Sequence, residues 1–249
     1  MRGLENKAVI VTGGASGIGR AICRRLGEEG CVVGIFDLNG EGAETVAGEI
    51  RAAGGKAGAY ACDVSDYDAV AGAVAAFEGD TGPVGGLVNN AGWDIAMPFL
   101  DSDLALWQKV IAINMYGPLN LCHVVLKGMA ERGSGRVVNI SSDAGRVGSS
   151  GEAVYAACKG GLIAFSKTMS RELARKGIVL NTICPGPTNT PLLAGQGEKL
   201  IAALEKAVPM RRVAEPEDYP GLVAFFLSDD AGYITGQTIS VSGGLTMHG

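Results

Sequence analysis

The sequence predicts an α/β fold: one doubly wound parallel sheet of about seven strands with helices on both faces, formed by 249 residues. Three observations predict it. Apolar runs of strand length alternate with amphipathic runs of helix length along the whole chain. Several strand runs are continuously apolar, as in a parallel sheet buried on both faces. Glycine punctuates the spaces between runs, and 39 glycines with 9 prolines stay below the roughly 25–30% joint content at which low complexity sets in. No repeat or linker interrupts the alternation, so one domain over 1–249 is expected.

The expected strands are Ala8–Val11, Val32–Phe36, Ala57–Ala61, Leu87–Val88, Arg136–Ile140, Val179–Ile183 and Thr238–Val241. Helical periodicity runs through Ile18–Glu29, Glu41–Ala53, Tyr67–Glu78, Asp103–Glu131, Ala153–Lys176 and Glu217–Leu227. The stretch 188–209 has mixed polarity and reads as an insertion that forms a lid over a substrate.

Composition narrows the partners. A net charge of −5 with 19% charged residues points away from nucleic acid. No apolar run approaches the ~20 residues of a membrane span, and the first residues lack the pattern of a signal peptide. The six cysteines stand singly, and with only His123 and His248 beside them none has zinc-ligand spacing. Free buried thiols in a reducing, cytoplasmic setting and a site without metal are expected.

The first strand ends in Thr12-Gly13-Gly14-Ala15-Ser16-Gly17-Ile18-Gly19, and a helix follows at once. Bare N–H groups and the helix dipole make such a turn an anion site. Gly13 permits the sharp turn, Gly17 the approach of a pyrophosphate, and Gly19 the packing of helix on sheet; Ser16 and Ile18 lie between them. The second strand ends at Asp37, 18 residues after Gly19, and Leu38 follows. A carboxylate there accepts from both ribose hydroxyls and repels the 2′-phosphate of NADP, so NAD (NAD+/NADH) is the expected cofactor. Asp63-Val64 and Asn90-Ala91-Gly92 follow the next strands and converge on the same edge.

Tyr155 and Lys159 are four apart in a helical stretch and share a face. Taken alone, this spacing is most often an exposed helix pair. Here it follows Ser141-Ser142 at the end of the fifth strand, with Ser142 lying 13 residues before Tyr155. A neighbouring ammonium and a positive nicotinamide ring are expected to favour the phenolate, with Ser142 holding the substrate oxygen. Ser141 reads as a turn residue. Asn114, a poor helix former in mid-helix, is expected to bind a water that relays protons to Lys159.

These motifs (TGGASGIG, NNAG, Asn114, Ser142, Y-A-A-C-K and P-G-P-T-N-T) match the order and spacing of short-chain dehydrogenases/reductases over essentially the whole chain, so the sequence resembles that family and its Rossmann fold. The resemblance implies Ser142 as anchor, Tyr155 as acid/base, Lys159 as activator and ribose ligand, and Asn114 as relay. It also implies that Thr188 and Thr190, after Pro185-Gly186, hold the nicotinamide carboxamide, and that the chain forms a homotetramer. NNAGWDI and AGRVGSSGEAVYAACKGG are similar to the 2-hydroxycyclohexanecarboxyl-CoA dehydrogenases and to dehydrogenases of 1-arylethanols and cyclic alcohols. Gly145 departs from that pattern and is expected to widen the pocket.

The expected substrate is a hydrophobic, ring-bearing secondary alcohol and its ketone, in aromatic or alicyclic degradation. The expected pocket walls are Trp93, Asp94, Met97, Val147, Leu192 and Leu193, with Asp143, Arg146 and Glu152 as polar contacts. Lys199 and Lys206 are candidates for a CoA phosphate. Three alternatives stand beside this: a hydroxyacyl-CoA dehydrogenase, a 3-oxoacyl-thioester reductase favouring NADPH, and a non-catalytic NAD-binding sensor. Small and apolar residues on several faces of Asp103–Glu131 and Ala153–Lys176 point to burial against other subunits.

Overall fold

The computed structural model describes residues 1–190, 193 and 198–247, with 198–200 described by backbone only. Seven parallel strands form one sheet in the order β3-β2-β1-β4-β5-β6-β7. They are β1 (Ala8–Thr12), β2 (Val32–Asp37), β3 (Lys56–Ala61), β4 (Gly86–Asn89), β5 (Gly135–Ile140), β6 (Ile178–Pro185) and β7 (Thr238–Val241). The helices are α1 (Gly17–Glu28), α2 (Gly40–Ala52), α3 (Tyr67–Thr81), α4 (Leu104–Ile111), α5 (Gly117–Arg132), α6 (Ala144–Val147), α7 (Ala153–Leu173), α8 (Glu198–Ala207) and α9 (Pro220–Leu227).

Strand residues alternate between two cores because successive side chains leave opposite faces of the pleat. Val9, Val11, Val33 and Ile35 pack with residues of α1, α2 and α9 on one face. Ile10, Phe36, Leu87, Val137 and Leu180 pack with α3, α5 and neighbouring residues on the other. All six cysteines are buried and unpaired. The strand order reverses direction between β1 and β4, which places a crevice at the carboxyl ends of these two strands.

Three expectations need correction here. The single helix 103–131 is two helices joined by a π-turn over Ala112–Tyr116, so its hydrogen-bond ladder widens around Asn114. Leu104–Arg132 is also long and apolar enough, by length and composition alone, to cross a bilayer. Its packing is that of a core helix: Leu121, Val125 and Met129 are buried against the sheet. Within the expected lid 188–209, α8 is a helix that was not anticipated, whereas 191–192 and 194–197, including Leu192, lie outside the described residues.

Candidate active site

The glycine turn is built by close backbone approach. Gly13 has φ +65° and a Cβ there would lie 2.9 Å from Ala91 Cα. A Cβ on Gly19 would lie 2.0 Å from the Gly13 carbonyl oxygen and 2.6 Å from Asn90 Nδ2, so α1 meets the turn with no room for a side chain. Gly17, at φ +51°, faces open space apart from Thr190, 3.4 Å away at Cγ2. Ser16 occupies the N-cap of α1 without making a side-chain cap, and the first turn holds no acidic residue. The first N–H groups of α1 are thus left without a side-chain partner at a helix N-terminus, which fits the pyrophosphate of a dinucleotide.

Thr12 and Asn90 brace this turn. The buried Thr12 hydroxyl accepts from Asn90 N and Ala91 N, each at 3.0 Å. Asn90 Nδ2 donates to Thr12 O at 3.0 Å and Gly13 O at 3.1 Å, so its side chain serves the turn and is not turned to a ribose. Asp37 stands at the end of β2, where Oδ2 accepts from Ala15 N at 3.0 Å and Oδ1 from Asn39 N at 2.9 Å. Both oxygens are therefore fixed beside the glycine turn. Leu38 is exposed. The Asp63 carboxylate accepts from Ser65, capping its own turn. Val64 is buried, and its carbonyl accepts from Asn120 at 3.0 Å.

The second cluster lies beyond β5, across the crevice. Lys159 is buried in α7 and donates from Nζ to Ile140 O at 3.0 Å. Its ammonium is 5.5 Å from the centre of the Tyr155 ring. Burial lowers its pKa to about 8. The Tyr155 phenol is pushed well above its ordinary range, chiefly by burial; the hydrogen bond with Ser142 opposes this, and Glu152 and Asp94 add to it. In the protein without cofactor, desolvation is the largest influence on the phenol. The group is a protonated acid at neutral pH.

Asn114 is fully buried inside the π-turn. Its Nδ2 donates to Trp93 O at 2.6 Å and Val110 O at 2.9 Å, and Oδ1 accepts from Trp93 N at 3.3 Å. Both amide protons and one lone pair of the side chain are thereby engaged by backbone. What it does is fix the 92–93 loop against Lys159. A Cβ on Gly92 would lie 3.0 Å from Asn114 Oδ1 and 3.4 Å from Lys159 Nζ, so the chain threads between these two groups.

Similarity to known proteins can be set beside this geometry. A family model described as enoyl-(acyl carrier protein) reductase matches residues 13–246. Nodulation protein G of Azospirillum brasilense is 40% identical over 97% of this chain and 99% of its own. An acetoacetyl-CoA reductase of Rhizobium meliloti is 40% identical over 96% and 98% respectively. A 3-oxoacyl-[acyl-carrier-protein] reductase of Chlamydia muridarum is 38% identical over 97% and 98%. The crystal structure of an actinorhodin polyketide ketoreductase variant with NADPH superposes with a TM-score of 0.94, at 36% identity and covering 100% of both chains. The chain belongs to the short-chain dehydrogenase/reductase family. It is an oxidoreductase of that family, with a single Rossmann-type domain and the nicotinamide cofactor such enzymes use.

Several other expected contacts of this dehydrogenase/reductase point elsewhere. Thr188 is buried, and its hydroxyl is paired with Tyr219 OH at 2.6 Å and Gly186 O at 2.8 Å, which turns it away from a carboxamide. Thr190 lies over Gly17 and remains in the cradle. Pro185 closes β6, and Gly186 abuts Ser242, where a Cβ would meet Ser242 Cβ at 2.8 Å. Asp143 accepts from Ser240 Oγ, and Arg146 donates to the same hydroxyl at 2.9 Å, so both are tied to β7. Gly145 cannot widen the pocket, because a Cβ there would lie 2.6 Å from Gly160 N in α7. Val147 is largely exposed, and Leu193 is half-buried with its N–H donating to Thr190 O at 3.0 Å.

The loops flanking Tyr155 meet through Met97 N, which donates to Gly151 O at 2.8 Å. Asp94 and Glu152 line a cleft there with Ile95, Met97, Leu106 and Val154. Lys109 Nζ sits 3.8 Å from the centre of the Trp93 ring, so this indole is capped by a cation. The braces Thr12, Ser240 and Tyr219 were missed by sequence reading. The first sat in plain view within the glycine motif, and the other two carry no local signal.

Proposed function

We propose that the protein is an NAD(H)-dependent reductase of 3-oxoacyl thioesters, interconverting the 3-oxo group and the corresponding secondary alcohol. The observation that carries this reading is the Tyr155 phenol hydrogen-bonded with Ser142, with the buried Lys159 ammonium held at Ile140 O and 5.5 Å from its ring. Relatives named acetoacetyl-CoA and 3-oxoacyl reductases, at up to 40% identity over nearly the whole chain, support the thioester over a simple ring alcohol. Asp37, fixed beside the turn by two backbone N–H groups, supports NAD(H) over NADP(H).

A bound nicotinamide would supply the hydride, held with its pyrophosphate on the α1 N-terminus and its adenosine ribose at Asp37. The chain's own task is orientation and proton delivery. Ser142 and Tyr155 hydroxyls bind the ketone oxygen. As negative charge develops there, the Tyr155 O–H bond breaks and its proton passes to that oxygen, leaving a phenolate. Lys159, held at Ile140 O, stabilises that phenolate and is the nearest source of its replacement proton. Asn114 acts by positioning the Gly92 loop against Lys159. In the reverse direction each transfer runs backward, and the same residues oxidise a 3-hydroxyacyl thioester.

A second reading keeps the ring-bearing alcohol. Ile95, Met97, Phe99 and Trp107 give the cleft beside Asp94 apolar walls, which supports it. A 2-hydroxycyclohexanecarboxyl thioester satisfies both readings, since its hydroxyl carbon is also β to the thioester. Steady-state rates with acetoacetyl-CoA, cyclohexanone and acetophenone, each with NADH and NADPH, test the proposal. Acetoacetyl-CoA with NADH is expected to give the highest kcat/KM. A ring ketone exceeding it would transfer the function to the second reading, and no turnover of any would leave an inert NAD-binding protein. We also propose a homotetramer, supported by the exposed Leu104 and Tyr116 on the α4–α5 face.

A further inference from the structure

We propose that Asp94 forms a second polar subsite beside Tyr155, which takes a hydroxyl or ammonium group carried by the substrate near its reacting carbon. This deepens the proposed function and rests on Tyr155 being the reaction centre. Asp94 is only 8% exposed. Its Oδ2 is sealed from solvent and has no hydrogen-bond partner among the described residues. Nor does any cation among them form an ion pair with it. The charged group that acts on it is Glu152, of like sign.

A buried carboxylate is ordinarily hydrogen-bonded or paired, because stripping it of water without compensation is costly. Here the Ile95 N–H is the hydrogen-bond donor that acts on the carboxyl, and Oδ2 is left bare. Burial and Glu152 together push the Asp94 carboxyl up to about 6, the response of an acceptor waiting for a donor or a cation. The adjoining cleft encloses about 20 Å³, room for one water-sized group by the ~10–15 Å³ such a group occupies. Ile95, Met97, Leu106, Val110 and Val154 give it apolar walls, and Ser102 and Glu152 line it as well. A bare acceptor beside apolar walls is an arrangement that orients a substrate by a polar contact. Val154, the neighbour of Tyr155, lines the same cleft as Asp94, and Met97 N joins the two loops at Gly151 O, so the donor Asp94 binds is assigned to the substrate whose ketone meets Tyr155. Sites of this kind reject analogues lacking the donor, since the protein's acceptor is then left bare.

The test pairs ketones that differ only in the donor: 2-hydroxycyclohexanone against cyclohexanone, and 2-amino-1-phenylethanone, whose α-amine is an ammonium, against acetophenone. The readout is kcat/KM with NADH or, for a compound not turned over, its Ki against acetoacetyl-CoA reduction. The donor-bearing member of at least one pair is expected to lead by tenfold or more. Asp94→Leu should bring that ratio to about one. Asp94→Asn keeps an acceptor oxygen, so it should retain the hydroxyl preference and lose the ammonium preference. Thermal melting confirms that each variant folds, and the Asn variant alone suffices if the Leu variant does not. Ratios near one in the wild type, engagement of neither compound, or ratios unchanged in both variants would overturn the subsite. Reduction of the hydroxyketone without any reduction of acetoacetyl-CoA would overturn the thioester reading and leave the subsite standing.

Discussion

Replacing Asp37 with Ala should move cofactor choice from NADH toward NADPH. The carboxylate is held at both oxygens, by Ala15 N at 3.0 Å and Asn39 N at 2.9 Å, so it cannot swing aside for a 2′-phosphate. Two unit charges about 4 Å apart repel by roughly 1 kcal/mol in water and about 4 kcal/mol near a protein surface. Asp37 is half-buried at a crevice mouth, where solvent screening selects the lower part of that range, about 1–2 kcal/mol. The expected change in the NADPH/NADH ratio of kcat/KM is therefore roughly 5- to 30-fold. Losing an acceptor for two backbone N–H groups should also cost about 1–2 kcal/mol of stability, a fall in Tm of a few degrees at this chain length. Initial rates with acetoacetyl-CoA and each cofactor, with a melting curve for each protein, measure both effects. An unchanged cofactor ratio in a variant that melts lower would show that Asp37 supports the turn and does not select the cofactor.

Three further outcomes follow from the same geometry. Gly19→Ala drives a Cβ to 2.0 Å from the Gly13 carbonyl oxygen, so α1 must shift; we expect NADH binding, followed by fluorescence titration, to weaken at least tenfold, about 1.4 kcal/mol. Thr12→Val removes the acceptor of Asn90 N and Ala91 N at nearly constant volume, which should destabilise the protein by about 2–4 kcal/mol in denaturant melts. Because burial lowers Lys159 to about 8, its ammonium is present below that pH and lost above it. Reductive kcat/KM should accordingly fall as pH rises past about 8, and a profile flat to pH 10 would remove Lys159 from proton delivery.

Features encoded within a few residues were legible in the sequence. The strands announced themselves as unbroken apolar runs such as Ala8–Val11, and the anion site as glycines between a strand and a helix. Tyr155 and Lys159 were visible because a helix brings residues four apart onto one face. The helix Glu198–Ala207 went unread although Leu200, Ile201, Leu204 and Val208 follow helical spacing, since the neighbouring polar stretch diluted the pattern. The commitments that corrected the site are long-range. Thr188 turns to Tyr219, 31 residues on, and Asp143 to Ser240, 97 residues on, and no local pattern reports such pairings. The direction of the Tyr155 shift was equally hidden, because it depends on how much of the fold covers the phenol.

The most direct test of the account is acetoacetyl-CoA-dependent NADH oxidation by Tyr155→Phe, measured alongside NADH binding by the same variant. The account predicts a loss of about 10²–10⁴-fold in kcat, the usual contribution of a positioned acid, with NADH still bound within a few-fold of the wild type. Turnover near the wild-type rate would mean that the proton reaches the substrate from another group and that the phenol is not the acid of this site.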